Sequence, residues 1–148
     1  MEKSLYSLPV SLILEDPSST TLLKYQHLYR TEACTNCIQL EVIPQQTQEG
    51  IPYQHLHFQI VTDDGIIAPQ DLKDLKLPEN IQFSQGVVIE GKGPIWLYSY
   101  LVHECHPAAW VGCYDTRLGA VVVATHTHAV PISQVLKLDL PTVVFRKS

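Results

Sequence analysis

Residues 86–126 read GVVIEGKGPIWLYSYLVHECHPAAWVGCYDTRLGAVVVATH, and this stretch decides the expected fold. The apolar run that begins at Gly86 predicts a buried strand, and the glycines at 91–93 predict a turn after it. Pro94 favours the first helical position, where its missing N–H costs nothing, and Pro107 ends the predicted helix at about Cys105. Two further strands, 110–114 and 120–125, are predicted on either side of a polar turn.

The turn at residues 91–93 is the first candidate binding site. A helix that begins at Pro94 presents unpaired backbone N–H groups and the positive end of its dipole, and Lys92 adds a charge beside them. This arrangement suits a phosphate, although the spacing of GKGP matches neither a P-loop nor a dinucleotide fingerprint. The alternative is a tight strand-to-helix turn that needs glycine for steric reasons, and the residues leave both interpretations open.

Polar residues beyond the predicted helix form a second candidate site. His103 and His106 are three residues apart and can share one helix face, while Asp115 and Arg117 lie in the turn after the next strand. These residue types support acid–base chemistry, metal binding or phosphate neutralisation. Each also has a structural interpretation, since a histidine before proline often ends a helix and an aspartate often caps a turn.

The runs GKGPIWLY at 91–98 and HPAAWVGCYDTRLGAVVV at 106–123, together with His126, resemble the CRISPR-associated ring nucleases of type III systems, the family Csx-three. The resemblance extends over about residues 38–140 and is sharpest over 86–126. Because the family is related to CARF (CRISPR-associated Rossmann fold) proteins, it implies a CARF-like Rossmann-type α/β domain that dimerises. It also implies Mn²⁺-dependent cleavage of cyclic tetra-adenylate, held between two dimers, which switches off antiviral signalling.

Position by position, the resemblance implies catalytic roles for His106, Asp115 and Arg117, with Mn²⁺ held by His106 and Asp115. The ligand-binding positions that it implies are Glu90, Gly91, Lys92, Gly93, Pro94 and His126. Family members often carry serine and arginine where this chain has Glu90 and Lys92. A glutamate repels a polyanion unless it is protonated, paired or bound to metal, and a lysine cannot make the bidentate phosphate contact of arginine.

Two other functions remain open beside the ring nuclease. One is a sensor module that binds a cyclic oligoadenylate or an RNA 3′ end without turnover, and the other is an RNA exonuclease that trims adenylates. The formal net charge of −5 argues against general nucleic-acid binding, so no DNA partner is expected, but it permits a small anionic ligand in a locally positive pocket. The absence of a signal peptide or a bilayer-length apolar run predicts a cytoplasmic protein without a membrane partner.

The cysteines are expected to be reduced in a cytoplasmic protein. Cys34 and Cys37 form a CxxC motif, for which we favour a turn between strands over a zinc or redox site. His27 offers a third zinc ligand, but a fourth is missing. Cys105 and Cys113 are expected to pack as small apolar side chains in the core.

The remaining elements complete the expected sheet. Residues 38–42 predict one strand, and the alternation of His55, His57 and Gln59 with apolar residues predicts a second, antiparallel to it. Two histidines on one face could indicate a metal site, but we favour the interpretation that they lie on a solvated face of the sheet or at an interface. Residues 69–77 predict a second helix, and 135–138 and 142–145 predict late strands. We therefore expect residues 38–148 to form a mixed sheet of five to seven strands with two helices, and residues 1–37 to form an extension packed on the core or on a partner subunit.

Overall fold

The computed structural model describes residues 34–140, and most of their regular structure is β-sheet. Six strands form one sheet in the spatial order β1-β2-β3-β4-β5-β6. Their bounds are Ile38–Gln46 (β1), Pro52–Ile60 (β2), Gly86–Gly91 (β3), Trp110–Asp115 (β4), Gly119–Thr125 (β5) and Val135–Leu136 (β6). One α-helix, α1 (Ile95–Glu104), and one 3₁₀ turn, Pro69–Leu72, complete the regular elements of these residues.

The strand direction changes across the sheet. Strands β2, β3 and β4 run parallel, whereas β5 is antiparallel to β4 and β6 is antiparallel to β5. Residues 47–51 join β1 to β2 and are too few for the crossover that a parallel pair requires, so these strands form a hairpin. Because β2, β3 and β4 are parallel, their carboxyl ends meet on one side, which we call the carboxyl end of the sheet; the opposite side is its amino end.

Helix α1 is the crossover between β3 and β4. Pro94 is its N-cap and Cys105 its C-cap, so the predicted helix is confirmed to within one residue at each end. The ring centroids of Phe58 on β2 and Tyr98 on α1 lie 5.1 Å apart, nearly perpendicular to each other, and Leu97 and Leu101 are buried beneath the helix. The helix therefore covers the sheet face that includes Phe58.

The other face of the sheet carries its own apolar cluster. The cluster is built from buried residues of β2 to β6 and of the loop before β6, namely Tyr53, Val88, Trp110, Ala120, Val122, Val130 and Leu136. A Cβ at Gly86 would overlap the indole of Trp110, so glycine is required there for the indole to lie across β3. This face is thus packed by side chains of the sheet and a loop, with no helix from the described residues.

The chain divides into two compact units: residues 34–38 and Ile60–Leu75 belong to one, and Gln39–Gln59 and 76–140 to the other. In the smaller unit, Cys34 and Cys37 form a disulfide, so the expectation of reduced thiols is wrong for this pair. The Asp71 carboxylate accepts hydrogen bonds from the N–H groups of Cys34 (2.7 Å) and Ala68 (2.8 Å). Asp71 thereby caps the 3₁₀ turn at its start.

The predicted second helix and the predicted fold class are wrong. Residues 69–77 form only the turn Pro69–Leu72, because so short a segment between two prolines nucleates a helix poorly. A CARF-like Rossmann-type α/β domain needs repeated crossovers and helices on both sheet faces. Here a single helix covers one face and β4 to β6 continue as antiparallel strands, which makes the described chain a mainly β structure.

Other expectations are met in part. The mixed sheet has six strands, within the expected five to seven, and the late strand predicted at 135–138 is reduced to Val135–Leu136. The strand predicted at 142–145 and most of the predicted extension lie outside the described residues. Within residues 34–140, no helix is both long and apolar enough to pass through a bilayer.

Candidate functional site

Several of the predicted site residues meet at the carboxyl end of the sheet. In the parallel register His57 is opposite Glu90, Phe58 is opposite Gly91, and Ile89 is opposite Cys113. Asp115 lies two residues beyond Cys113, at the end of β4. The ends of three neighbouring strands therefore bring a histidine, two carboxylates and the turn at residues 91–93 to one side of the sheet.

Two histidines and a glutamate form the most compact polar cluster, which we call the His-His-Glu cluster: His55, His57 and Glu90. The Oε2 atom of Glu90 lies 3.2 Å from Nε2 of His55 and 2.5 Å from Nδ1 of His57. The hydrogen bond to His55, supported by His57, holds the pKa of Glu90 below its usual value against the opposing effect of burial. Glu90 is therefore an ionised carboxylate whose charge is directed at two imidazoles.

The structure contradicts part of the favoured interpretation of the histidine face of β2, because its two histidines are not solvated. The side chain of His55 is fully buried, and those of His57 and Glu90 are only 17% and 25% exposed. Within the described residues, Nδ1 of His55 is buried without a hydrogen-bond partner. The two histidines are thus not solvated, although Gln59 farther along the same face is exposed. The metal-site interpretation that was set aside gains a carboxylate as its third ligand, and the interface interpretation stays a prediction.

The glycines at 91 and 93 are required by packing. A Cβ on Gly91 would clash with the carbonyl oxygen of Phe58, and a Cβ on Gly93 would lie 2.7 Å from the ring of Phe58. Tyr98 holds the turn, because its hydroxyl donates to the Gly91 carbonyl oxygen (2.7 Å) and lies 3.2 Å from the Gly91 N–H. The steric interpretation of this turn is confirmed, while its role in phosphate binding stays a prediction.

Lys92 stands exposed at the tip of this turn, just before Pro94 and α1. Among residues 34–140 its ammonium group makes no ion pair, since the pairs found there involve histidine or arginine. Lys92 is thus available to an anion at the N-terminal end of α1.

Asp115 and Arg117 are paired across the turn between β4 and β5. Oδ1 of Asp115 accepts from the backbone N–H groups of Arg117 (2.8 Å) and Leu118 (3.1 Å), and Oδ2 lies 3.1 Å from Nη2 of Arg117. The side-chain hydrogen bond from Arg117 is the main cause that lowers the pKa of Asp115. The aspartate therefore caps the turn and at the same time orients the guanidinium group of an arginine whose side chain is 83% exposed.

His106 and His126 lie at the amino end of the sheet. Their ring centroids are 5.1 Å apart, and Nε2 of His126 donates to the His106 carbonyl oxygen at 3.1 Å. Trp110 at the start of β4 pairs with Thr125, whereas Asp115 at its end pairs with Gly119. The length of β4, about 17 Å, therefore separates this histidine pair from Asp115 and Arg117 within one chain.

Comparison with known proteins identifies the family. Residues 60–137 match the family described as CRISPR-associated protein (Cas_csx3). The chain belongs to this family. It is also similar to a protein of Aquifex aeolicus (strain VF5) that bears the name "Uncharacterized protein", with 38% identity over 77 residues, covering 49% of this chain and 69% of that relative.

The matched segment of this Csx3-family protein includes Glu90, His106, Asp115 and Arg117 but begins after His55 and His57. Sequence reasoning named Glu90 as a ligand-binding position without its partners. The signal that was available is the His-x-His alternation on β2. The sequence does not show that β2 pairs with β3 in parallel, and it is this pairing that places Glu90 opposite His57.

Proposed function

We propose that this Csx3-family protein is a ring nuclease that cleaves cyclic tetra-adenylate in the cytoplasm and so ends type III CRISPR signalling. Family membership supports a CRISPR-associated role, and the ring nuclease reaction is what the resemblance implies beyond it. The observation that carries the proposal is the placement of Lys92 and Arg117, two exposed cations, at the carboxyl end of the sheet. In a chain of net charge −5, this pair favours a small polyphosphate ligand at that end.

The residues divide into two groups of proposed roles. Arg117 makes a bidentate contact with one phosphate while Asp115 fixes its orientation, and Lys92 with the N-terminal end of α1 binds another. His106 acts as general acid or base, accepting the proton of the attacking hydroxyl and returning a proton to the leaving oxygen. Because β4 separates His106 from Asp115, we propose that each active site takes them from different subunits.

Exposed apolar side chains near β5 and β6 support assembly of the protein into dimers. Two such dimers would form a tetramer around the ring. Val123, Ile132 and Val135 are 43%, 59% and 38% exposed, on a sheet margin that α1 does not cover. Clustered apolar exposure of this kind is typical of subunit interfaces. We propose a homodimer at this surface, stacked on a second dimer when ligand is bound.

Manganese is the metal that the resemblance implies. Within one chain His106 and Asp115 lie at opposite ends of β4 and do not meet, so an ion held by both requires two chains. When bound, such an ion supplies Lewis-acid polarisation of a phosphoryl oxygen.

The test follows labelled cyclic tetra-adenylate with and without Mn²⁺, with products separated by chromatography. His106→Ala should reduce cleavage by at least about 100-fold and leave binding within a few-fold, while the exposed control His128→Ala retains both. Lys92→Ala should weaken ligand binding by about 1–3 kcal/mol, the scale of a charged hydrogen bond. Cleavage by His106→Ala at the wild-type rate would refute the assignment.

The same assay separates the other candidate functions. Tight binding without turnover by the wild-type protein would favour the sensor module, which the distance between His106 and Asp115 in one chain also fits. Faster loss of linear oligoadenylates than of the ring would favour the adenylate-trimming exonuclease.

A further inference from the structure

We propose that the His-His-Glu cluster is a binding site for a first-row divalent metal ion, Zn²⁺ or Mn²⁺. The three ligand atoms, Nε2 of His55, Nδ1 of His57 and Oε2 of Glu90, all lie within 4.8 Å of one another. Metal–nitrogen and metal–oxygen bonds of about 2.0–2.2 Å place an ion between atoms at such separations. Two imidazoles and one carboxylate are a common protein ligand set for these ions, with further positions open to water or substrate.

The backbone gives the cluster the rigidity that a metal site needs. His55 and His57 are alternate residues of β2 and therefore project from one sheet face, and Glu90 is directly opposite His57 on the parallel strand β3. All three ligands thus come from adjacent hydrogen-bonded strands. Small shifts of side chains alone suffice to open room for an ion, without rearrangement of the sheet.

The burial of His55 is a second, independent observation that favours a ligand. Its side chain is fully buried, and its Nδ1 atom has no hydrogen-bond partner within the described residues. A metal bond at Nε2 places the ring proton on Nδ1 and leaves that atom unsatisfied, so the orphan nitrogen does not itself indicate an ion. What favours a ligand is that Nε2 of this fully buried side chain lies 3.2 Å from Oε2 of Glu90 and within 4.8 Å of the ligand atom of His57.

The proposed site differs from the His106 and Asp115 pair that the resemblance implies for Mn²⁺. The cluster lies on the sheet face opposite α1, and both of its histidines precede the segment that matches the family. Solvent reaches it through the partly exposed side chains of His57 and Glu90. A divalent ion there would convert the negative charge of Glu90 into a net positive one, directly before the turn at residues 91–93.

Metal binding at the cluster does not depend on the proposed nuclease reaction, and its test reads metal binding alone. The protein is stripped with chelator, dialysed without reductant to preserve the Cys34–Cys37 disulfide, and titrated with Zn²⁺ or Mn²⁺ by calorimetry. Bound metal is counted by mass spectrometry, and Co²⁺ substitution reports ligand geometry by absorbance. We expect one ion per chain at the cluster, counted as the difference between the wild-type protein and Glu90→Gln.

Glu90→Gln is the decisive variant, because it keeps the shape of the side chain and removes its charge. Glu90→Gln and His57→Ala should each weaken binding by roughly 100-fold or more, beyond the loss seen for outer partners of a metal site. His128→Ala replaces an exposed histidine outside the candidate sites and is the control that should bind like the wild-type protein. His55→Ala is included only if circular dichroism shows a native fold.

Two results overturn the proposal. The first is failure of the wild-type protein to bind any of the three ions. The second is unchanged affinity and stoichiometry in Glu90→Gln, which would place the bound ion elsewhere.

Discussion

Two inactive variants, His106→Ala and Asp115→Ala, should restore part of each other's activity when their subunits are mixed. The structure gives the reason, since strand β4 runs between the two residues and separates them by about 17 Å. A side-chain swing cannot close that distance, and the hydrogen-bonded neighbours of β4 prevent it from folding back. If one reaction uses both residues, they must come from different chains.

The expected size of the recovery follows from counting chains. In an equal mixture after random exchange, a site that draws His106 from one chain and Asp115 from another finds each residue intact half of the time. About one quarter of the wild-type activity should therefore return. As a matched control, the wild-type protein mixed equally with the double variant should also give about a quarter if the site is shared, but about a half if it lies within one chain.

The assay needs proof of exchange before activity is scored. The two variants carry different fluorophores, and energy transfer between them after incubation shows that mixed oligomers have formed. Cleavage of labelled cyclic tetra-adenylate is then measured for each variant alone and for the mixture. Verified exchange with no return of activity would refute the shared-site reasoning and would leave His106 without a partner in this reaction.

Three further predictions follow from individual contacts. Tyr98→Phe removes the hydroxyl that holds Gly91 and should lower the free energy of unfolding by about 1 kcal/mol in urea titrations; an unchanged midpoint would show that the turn is held by packing alone. Burial raises the pKa of Cys105 to about 12, so iodoacetamide at pH 8 should label it only after unfolding, and fast native labelling would contradict this. Hydrogen bonds from His55 and His57 lower the pKa of Glu90 in the folded protein, so the ionised carboxylate stabilises the fold fully above the usual pKa of 4.5, and this contribution is lost as the pH falls below it. Glu90→Gln should therefore flatten the dependence of the free energy of unfolding on pH in that range, and a dependence parallel to that of the wild-type protein would argue against the pairing.

The part of the fold that sequence reasoning predicts well is the part with strong boundary residues. Gly86, the glycines at 91 and 93, Pro94 and Pro107 delimit β3 and α1, and the observed bounds agree to within two residues. Each of these residues restricts the backbone locally, so its effect does not depend on distant contacts. The capping aspartate at 115 is local in the same sense, and its bonds to residues 117 and 118 are observed.

The errors arise where the outcome depends on pairing between distant segments. The resemblance implied the CARF-like class, and the α/β pattern beneath it was inferred from one strand–helix–strand unit and a second predicted helix. Such a pattern does not specify what covers the second face of a sheet. That face is packed by Trp110, Leu136 and their neighbours, and it needs no second helix. The wrong expectation that His55 is solvated has the same origin. Alternation along β2 looks the same whether its polar face is solvated or lies beside a carboxylate on a neighbouring strand.

Glu90 shows why a departure from a family pattern must be judged in three dimensions. In the sequence it stands next to the proposed phosphate-binding turn, where its charge should repel the ligand. In the structure successive residues of β3 project to opposite faces, so Glu90 is directed to His55 and His57 while Gly91 faces Phe58 beneath α1. Its negative charge is thus paired on one face, and the turn that carries Lys92 emerges toward the other. The glutamate and the two histidines form one local unit, and a change at position 90 therefore acts first on His55 and His57 and only through them on a ligand at the turn.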